Sequence, residues 1–142
     1  MSKAREVMHV GAECVGEEQT LTAAARKMRD LHVGALPICG TDDRLQGIIT
    51  DRDIVVRCVA EGLDPDTVTA GELAMGAPIY VDANAETDEV LQVMTESKIR
   101  RVPVLDNQRL VGMISEADLA THLDEHQIKR FAESIYGSPP TT

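Results

Sequence analysis

One sequence pattern occurs twice in this chain, and this repeat constrains the fold more than any other feature. Residues 44–54 read RLQGIITDRDI, and residues 109–119 read RLVGMISEADL. Each copy has an apolar stretch with a glycine near its start, then a hydroxyl residue, and then an acid three positions later. Pro37 and Pro103 occupy matching places ahead of the two copies. The repeat predicts two copies of one supersecondary unit, each carrying the same potential binding site.

Hydrophobic spacing predicts the same order of elements in both halves: a strand, a helix, two strands and a second helix. In the first half we predict these elements at 13–16, Thr20 or Thr22 to Leu31, 35–39, 45–49 and 51–60. In the second half we predict them at 79–81, 88–97, 101–105, 110–114 and 116–123. A short leading helix is expected over 3–9, its counterpart at a capping-box pattern over 69–72, and an appended helix over 127–136.

The expected fold is an α/β chain of two β-α-β-β-α repeats. The predicted domains are residues 1–62 for the first repeat, 63–123 for the second, and 124–142 for a C-terminal helix and tail. A right-handed strand–helix–strand crossover leaves the helices on one face of each small sheet. The other face needs cover, so the repeats are expected to pack sheet against sheet with pseudo-two-fold symmetry.

Composition limits the classes of partner. Hydrophobic residues make up 43% of the 142-residue chain and aromatic residues only 2%. This predicts an aliphatic core and argues against base stacking on single-stranded nucleic acid. The formal net charge of −10 would repel a phosphate backbone. No stretch approaches the roughly 20 apolar residues of a membrane span. We therefore expect a cytoplasmic protein that has neither nucleic acid nor a membrane as its partner.

The three cysteines are Cys14, Cys39 and Cys58, without a CxxC pattern. Their number and spacing are not those of a zinc finger or a disulfide-rich scaffold. Cys14 and Cys39 each lie in a predicted strand of the first repeat, so their thiols come close if those strands are neighbours. Two interpretations stay open: buried free thiols, as a reducing compartment favours, and a Cys14–Cys39 disulfide.

The end of each repeated stretch carries the side chains best suited to bind a ligand. Thr50 and Asp53 in the first copy, and Ser115 and Asp118 in the second, stand at a predicted strand-to-helix junction. A hydroxyl residue and an acid at this spacing can cap a helix by bonding its free N–H groups. The same groups suit a ribose phosphate, because the helix N-terminus and hydroxyl can bind phosphate while the carboxylate accepts from two ribose hydroxyls. Capping and ligand binding both remain open.

The order of elements, the proline-containing strands and the Gly-h-h-(Thr/Ser)-x-x-Asp ending, where h is apolar, resemble a tandem pair of CBS domains, also called a Bateman module. The resemblance covers about residues 5–123, and both motifs are complete. It implies a stand-alone regulatory protein, not an enzyme, that binds an adenosine-containing ligand such as AMP or ATP in a cleft between the repeats. It also implies a homodimer and an effector protein of unknown identity.

The resemblance assigns ribose hydroxyls to the two acids of the motif and phosphate to its two hydroxyl residues. It further implies apolar walls from Ile49 and Ile114, and a phosphate contact from Arg101. Residues 34–35 are Gly-Ala where residues 100–101 are Arg-Arg. The two sites are therefore expected to differ in affinity, or one of them to stay empty.

Two histidines support an alternative hypothesis. His122 and His126 are four residues apart and share one face if the helix continues through them. They could supply two zinc ligands, with Asp118 or a second chain of a dimer supplying others, because a structural zinc takes about four. The protein would then be a stress-associated structural or interaction protein with empty clefts, and its motif residues would only cap helices. His9 and His32 stand apart from these groups, and we predict no role for them.

Overall fold

The computed structural model describes residues 2–11, 13–74 and 78–136, which fold into two compact units. We call them the first-repeat unit, with residues 13–74, 78–79 and 108–110, and the second-repeat unit, with residues 2–11, 80–107 and 111–136. Each repeat has the strand–helix–strand–strand–helix order that the sequence predicts. The chain thus has the expected α/β architecture, with one sheet for each repeat.

The chain begins with a helical turn, α1 (Ala4–Val7), and a two-residue strand, β1 (His9–Val10). The leading helix predicted over 3–9 therefore ends at Val7, and the residues that follow are extended. Both elements belong to the second-repeat unit, whereas the sequence groups them with the first repeat.

The first-repeat unit is built on a three-stranded sheet. Its strands are β2 (Val15–Gly16), β3 (Ala35–Cys39) and β4 (Leu45–Thr50), in the order β2-β3-β4. β2 is parallel to β3, and β3 is antiparallel to β4. Its helices are α2 (Leu21–Leu31), α3 (Asp51–Ile54) and α4 (Ala70–Leu73). α3 was expected to run to residue 60, but it is α-helical only to Ile54 and continues as a π-helical turn over Val55–Val59.

The second-repeat unit has a four-stranded sheet in the order β1-β7-β6-β5. The three strands of the repeat itself are β5 (Val81–Asp82), β6 (Arg101–Asp106) and β7 (Arg109–Ser115). The helices are α5 (Thr87–Ser97), α6 (Glu116–Ala120) and α7 (Glu125–Tyr136). β5 is parallel to β6, and β1 is antiparallel to β7.

The two short leading helices are exchanged between the repeats. The backbone N–H of Ala4 in α1 donates to the carbonyl oxygen of Ala85, in the second repeat, at 2.7 Å. The N–H of Ala70 in α4 donates to the carbonyl oxygen of Gln19, in the first repeat, at 2.8 Å. These bonds satisfy N–H groups that a short helix leaves unpaired at its start. The helix α1, at the start of the chain, therefore completes the second repeat, and α4, which follows the first repeat, completes the first.

Each unit has its own core, and both cores are aliphatic, as the low aromatic content predicts. The core of the first-repeat unit contains Val15, Leu21, Ala24, Met28, Leu36, Ile38, Ile49, Cys58, Ala70 and Leu73. The core of the second-repeat unit contains Ala4, Val7, Val81, Ala83, Ala85, Val90, Leu91, Met94, Val102, Val104, Ile114 and Leu119. These cores hold β4 and β7 in place, and both motifs follow at the ends of those strands.

The appended helix α7 folds back on its own unit and lies against α5. Gln127 Nε2 donates to Asp88 Oδ1 at 2.7 Å. The predicted tail beyond Tyr136 lies outside the described residues. Within the described part of the chain, no helix is both long enough and apolar enough to cross a membrane.

Candidate functional site

The first motif lies where β4 passes into α3, and it forms a complete capping box. Thr50 Oγ1 accepts from the backbone N–H of Asp53 at 3.1 Å. Asp53 Oδ2 accepts in return from the backbone N–H of Thr50 at 2.9 Å. Among the described residues, Asp53 Oδ1 makes no hydrogen bond or ion pair. The carboxylate is held in place through one oxygen and keeps the other available.

The second motif lies where β7 passes into α6, and it forms the same box with an additional bond. Asp118 Oδ2 accepts from the Ser115 backbone N–H at 2.9 Å and from the Ser115 hydroxyl at 2.8 Å. Ser115 Oγ accepts in turn from the Asp118 N–H at 3.2 Å. The Ser115 hydroxyl hydrogen is thus used inside the motif, whereas the Thr50 hydroxyl has no acceptor among the described residues.

A histidine for which the sequence predicted no role completes the second motif. His9 Nε2 lies 2.9 Å from Asp118 Oδ1, so both oxygens of this carboxylate have a protein partner. The His9 side chain is 80% exposed and the Asp118 side chain 17% exposed. No sequence signal indicated the contact, because His9 belongs to the predicted first repeat and is brought to Asp118, in the second, only by the pairing of β1 with β7.

The surroundings of Asp118 change the pKa of its carboxyl. Burial by itself would raise the pKa of the Asp118 carboxyl. The hydrogen bonds from the backbone and hydroxyl of Ser115, together with the nearby His9, outweigh burial and hold this pKa below its usual value. The charged carboxylate is therefore the favoured form, stabilised by groups of the same chain.

The residues at 34–35 and 100–101 give the two motifs different surroundings. The N–H of Asp51 donates to the carbonyl oxygen of Gly34 at 2.9 Å, and the N–H of Glu116 donates to that of Arg100 at 2.8 Å. A Cβ on Gly34 would lie 3.1 Å from Asp51 Oδ2, so a carboxylate lies close over the glycine. Arg101 is exposed at the start of β6. The two motifs thus have different neighbouring residues, and the expected difference in affinity stays a prediction.

Ile49 and Ile114, expected to form apolar walls of the sites, are completely buried. Ile49 belongs to the core of the first-repeat unit and Ile114 to that of the second-repeat unit. Neither side chain presents surface to a ligand in this structure. Their role here is to anchor the strand that precedes each motif.

A disulfide joins Cys14 and Cys39, with their Cα atoms 5.7 Å apart. Cys39 belongs to β3, and Cys14 directly precedes β2, the parallel neighbour of β3. Neighbouring strands bring the two thiols together, which is the condition that the sequence left open. Cys58 is buried and free.

His122 and His126 do not share one continuous helix. α6 ends at Ala120, and α7 begins only at Glu125, so the condition for a shared helical face is not met. His122 Nδ1 lies 2.8 Å from Thr121 Oγ1 and 3.3 Å from the Asp118 carbonyl oxygen, so Nε2 is the nitrogen that could bind a metal. Among the described residues, no three His, Cys, Asp or Glu side chains are grouped to hold a metal ion. One copy of the described chain does not complete a zinc site.

A shallow apolar groove of about 310 Å³ lies between α2 and α3. Its walls include Ala25, Ile54 and Val59, with Arg26 and Arg29 along α2. None of the motif residues lines it. The groove is therefore a separate feature of the first-repeat unit.

The two complete motifs agree with a comparison against protein-family models. The CBS domain model matches residues 4–59 and 70–125, which together make up most of the chain. The chain belongs to the CBS-domain family. Its two matched segments correspond to the two repeats, and each contains one of the capping boxes described above.

Relatives in this family include proteins of the same size. Hypoxic response protein 1 of Mycobacterium tuberculosis strain H37Rv is 58% identical over 135 residues, covering 95% of this chain and 94% of the relative. The CBS domain-containing protein YhcV of Bacillus subtilis strain 168 is 35% identical, covering 86% of each chain. The chain thus resembles whole stand-alone CBS proteins over nearly their full length.

Two solved structures bear on ligands. A crystal structure of hypoxic response protein I with two coordinated zinc ions has a TM-score of 0.82 and 58% identity, covering 87% of this chain and 100% of that one. The structure of CBSX2 in complex with AMP has a TM-score of 0.74 and 19% identity, covering 91% of this chain and 99% of that one. At that identity, the second likeness concerns the fold alone.

Proposed function

We propose that this protein is a regulatory CBS pair that binds an adenosine-containing ligand of the AMP or ATP type, with Asp53 as the acceptor for its ribose hydroxyls. The protein acts as a homodimer in a stress response and passes its ligand state to an effector protein. The observation that carries the proposal is the state of Asp53. Its carboxylate is fixed through Oδ2, while Oδ1 has no partner among the described residues.

The chemistry of the motif supports this assignment. An ionised carboxylate offers about four lone-pair positions, and the described contacts of Asp53 use one of them. Two adjacent ribose hydroxyls can therefore donate to it without breaking the cap. The Thr50 hydroxyl accepts from the Asp53 N–H and retains its own hydrogen for a phosphate oxygen. Fixing the acid in advance lowers the ordering cost of binding.

The family supplies the ligand class. The CBSX2 complex is an example of a CBS protein that binds AMP. In this chain the first motif is the favoured position, because both carboxylate oxygens of Asp118 already have partners within the protein. Arg101 is assigned a phosphate contact at the second motif.

Calorimetric titration of AMP against the wild type, Asp53→Asn and Asp53→Ala tests the proposal. Asparagine still accepts from the Thr50 N–H, so that variant retains the cap and loses the charge. We expect AMP to bind the wild type and binding to weaken at least about tenfold in both variants, because a charge-assisted hydrogen bond is worth about 1.5–3 kcal/mol. Absence of binding to the wild type at millimolar AMP, or equal affinity of all three proteins, would refute it.

A second candidate function is zinc binding, which the zinc-containing structure of the 58% identical relative favours. His122 and His126 provide two ligands, and a second copy of the chain provides the others, since the described residues of one copy hold no group of three. Such a site would link two copies into a dimer. The metal would then have a structural role.

Elemental analysis of untagged protein, combined with its oligomeric state, tests the zinc site. We expect about one zinc per two chains in the wild type if both copies supply His122 and His126, or about one per chain if the second copy supplies other residues. In either case we expect the zinc to be lost in His122→Ala and in His126→Ala. The matched control is His32→Ala, which changes an exposed histidine in the first-repeat unit. Metal-free wild type after growth with added zinc, or unchanged zinc in both site variants, contradicts this candidate.

A further inference from the structure

We propose that the His9 imidazole competes with ribose hydroxyls for Asp118. It thereby favours binding of a ribose-containing ligand at the first motif over the second. The inference rests on the proposed function and names how that function is regulated. Its basis is the contact between His9 Nε2 and Asp118 Oδ1 at 2.9 Å. The described contacts use three of the roughly four lone-pair positions of Asp118, so two adjacent ribose hydroxyls can both donate to it only if this imidazole is displaced. Asp53 has no such partner among the described residues.

The backbone delivers His9 to this position. In the pairing of β1 with β7, His9 stands opposite Met113 and Val10 opposite Gly112. The N–H of Gly11 donates to the carbonyl oxygen of Val111 at 3.1 Å and extends the pairing by one bond. The preceding helix α1 is bound to the same unit by the hydrogen bond from the Ala4 N–H to the Ala85 carbonyl oxygen. The imidazole is thus held at the motif by a segment fixed on both sides.

Gly112 makes this pairing possible. A Cβ at that position would lie 2.6 Å from the carbonyl oxygen of His9, closer than real contacts allow. The corresponding glycine of the first repeat, Gly47, faces the Ala74 side chain instead, with a Cβ distance of 3.3 Å. Among the described residues, this close approach of a leading backbone to the strand is seen at the second motif.

The first motif has no equivalent of His9 in the sequence. Aligning α1 with α4, which starts at Ala70 as α1 starts at Ala4, places Met75 at the position of His9. Met75 lies outside the described residues, but its thioether has no N–H to donate to a carboxylate. The two copies of the motif therefore differ in whether the chain supplies a competing donor.

The exposure of His9 limits how much its removal can change the affinity of the second motif. Its side chain is 80% exposed, and an ion pair in such a position contributes little. Removing the imidazole is therefore expected to raise the affinity of the second motif by no more than about five-fold. His9 acts as a weak lid that a ligand at high concentration displaces, so the two sites fill in sequence.

Binding of AMP at the second motif, followed by NMR through the Ser115 and Asp118 amide signals, tests the inference. The measurement uses the Asp53→Ala background, so that Asp118 is the remaining motif acid. We expect His9→Ala to strengthen binding about two- to five-fold, and Asp118→Ala to abolish the gain. Val10→Ala, an exposed change on the same strand, is the matched control and should have no effect. 2′-Deoxy-AMP should bind without any gain from His9→Ala.

The outcomes separate this inference from the proposed function. If AMP binds the wild type through Asp53 but His9→Ala changes nothing at the second motif, the inference is overturned and the proposed function stands. If AMP binds only after His9 is removed, and through Asp118, the inference is upheld and the assignment to Asp53 fails. If no variant binds AMP, both are overturned.

Discussion

Gly112 lies directly beneath the backbone of His9, and a Cβ there would be 2.6 Å from the His9 carbonyl oxygen. Gly112→Ala is therefore expected to force β1 away from β7 and to cost about 1–3 kcal/mol of unfolding free energy. Gly47→Ala is the comparison, because its Cβ would meet the Ala74 side chain at 3.3 Å, a tight contact that needs a shift of only a few tenths of an ångström. Urea denaturation of both variants measures the difference. Equal stability of the two would contradict the close approach.

The disulfide between Cys14 and Cys39 closes a loop with a sequence separation of 25 residues. A loop of this size corresponds to roughly 3–4 kcal/mol of stabilisation through the unfolded state. We expect the Cys14→Ser/Cys39→Ser variant to be less stable by about this amount and insensitive to dithiothreitol. The oxidised wild type should fall to the same stability on reduction. A wild type whose thermal midpoint ignores dithiothreitol would show that the bond does not stabilise the fold.

The lowered pKa of the Asp118 carboxyl predicts a specific pH dependence of stability. Because its pKa is lowered in the folded protein, the carboxylate stabilises the fold above its unfolded pKa, near the usual 3.8. This contribution is lost as pH falls through the lower, folded value. The stability difference between wild type and Asp118→Asn should therefore shrink below about pH 4. Thermal melts of both proteins from pH 7 to pH 3 measure it. A difference that grows with acidity contradicts the prediction.

Ile49 and Ile114 are fully buried, so their substitution should affect stability before ligand binding. Each change to alanine is expected to cost about 2–5 kcal/mol, and each change to valine about 0.5–1.5 kcal/mol. Denaturant titration measures the cost, and AMP titration of the valine variants provides the comparison. A valine variant with wild-type stability but much weaker AMP binding would place the side chain in a ligand wall instead.

The repeat predicted much of the local structure, because each of its features acts over a few residues. The order of strands and helices in each repeat follows the hydrophobic spacing. The capping interpretation of Thr50 with Asp53, and of Ser115 with Asp118, is confirmed by reciprocal hydrogen bonds in both motifs. Ligand binding by the same residues remains a prediction. Capping needs only four consecutive residues, which is why the pattern alone was sufficient for it.

The features that could not be predicted from the sequence depend on residues that are distant along the chain. β1 has two residues and no recognisable alternation, so nothing distinguished it from the end of a leading helix. The spacing of His122 and His126 suggested a shared face, but the chain turns between Ala120 and Glu125. Spacing describes geometry only inside one continuous element, and the end of α6 removes that condition.

The sequence by itself determined two repeats, their aliphatic cores and two motifs of the same design, since periodicity and capping are local properties. The sequence also predicted unequal sites from residues 34–35 and 100–101, but only the tertiary structure revealed that the two motif acids have different partners. Pairing of β1 with β7 brings His9 to Asp118, and no local rule connects a histidine at the start of the first repeat to an acid at the end of the second. Asp53 and Asp118 occupy equivalent positions in the repeat but have different partners, because long-range backbone hydrogen bonds determine which residues lie beside them.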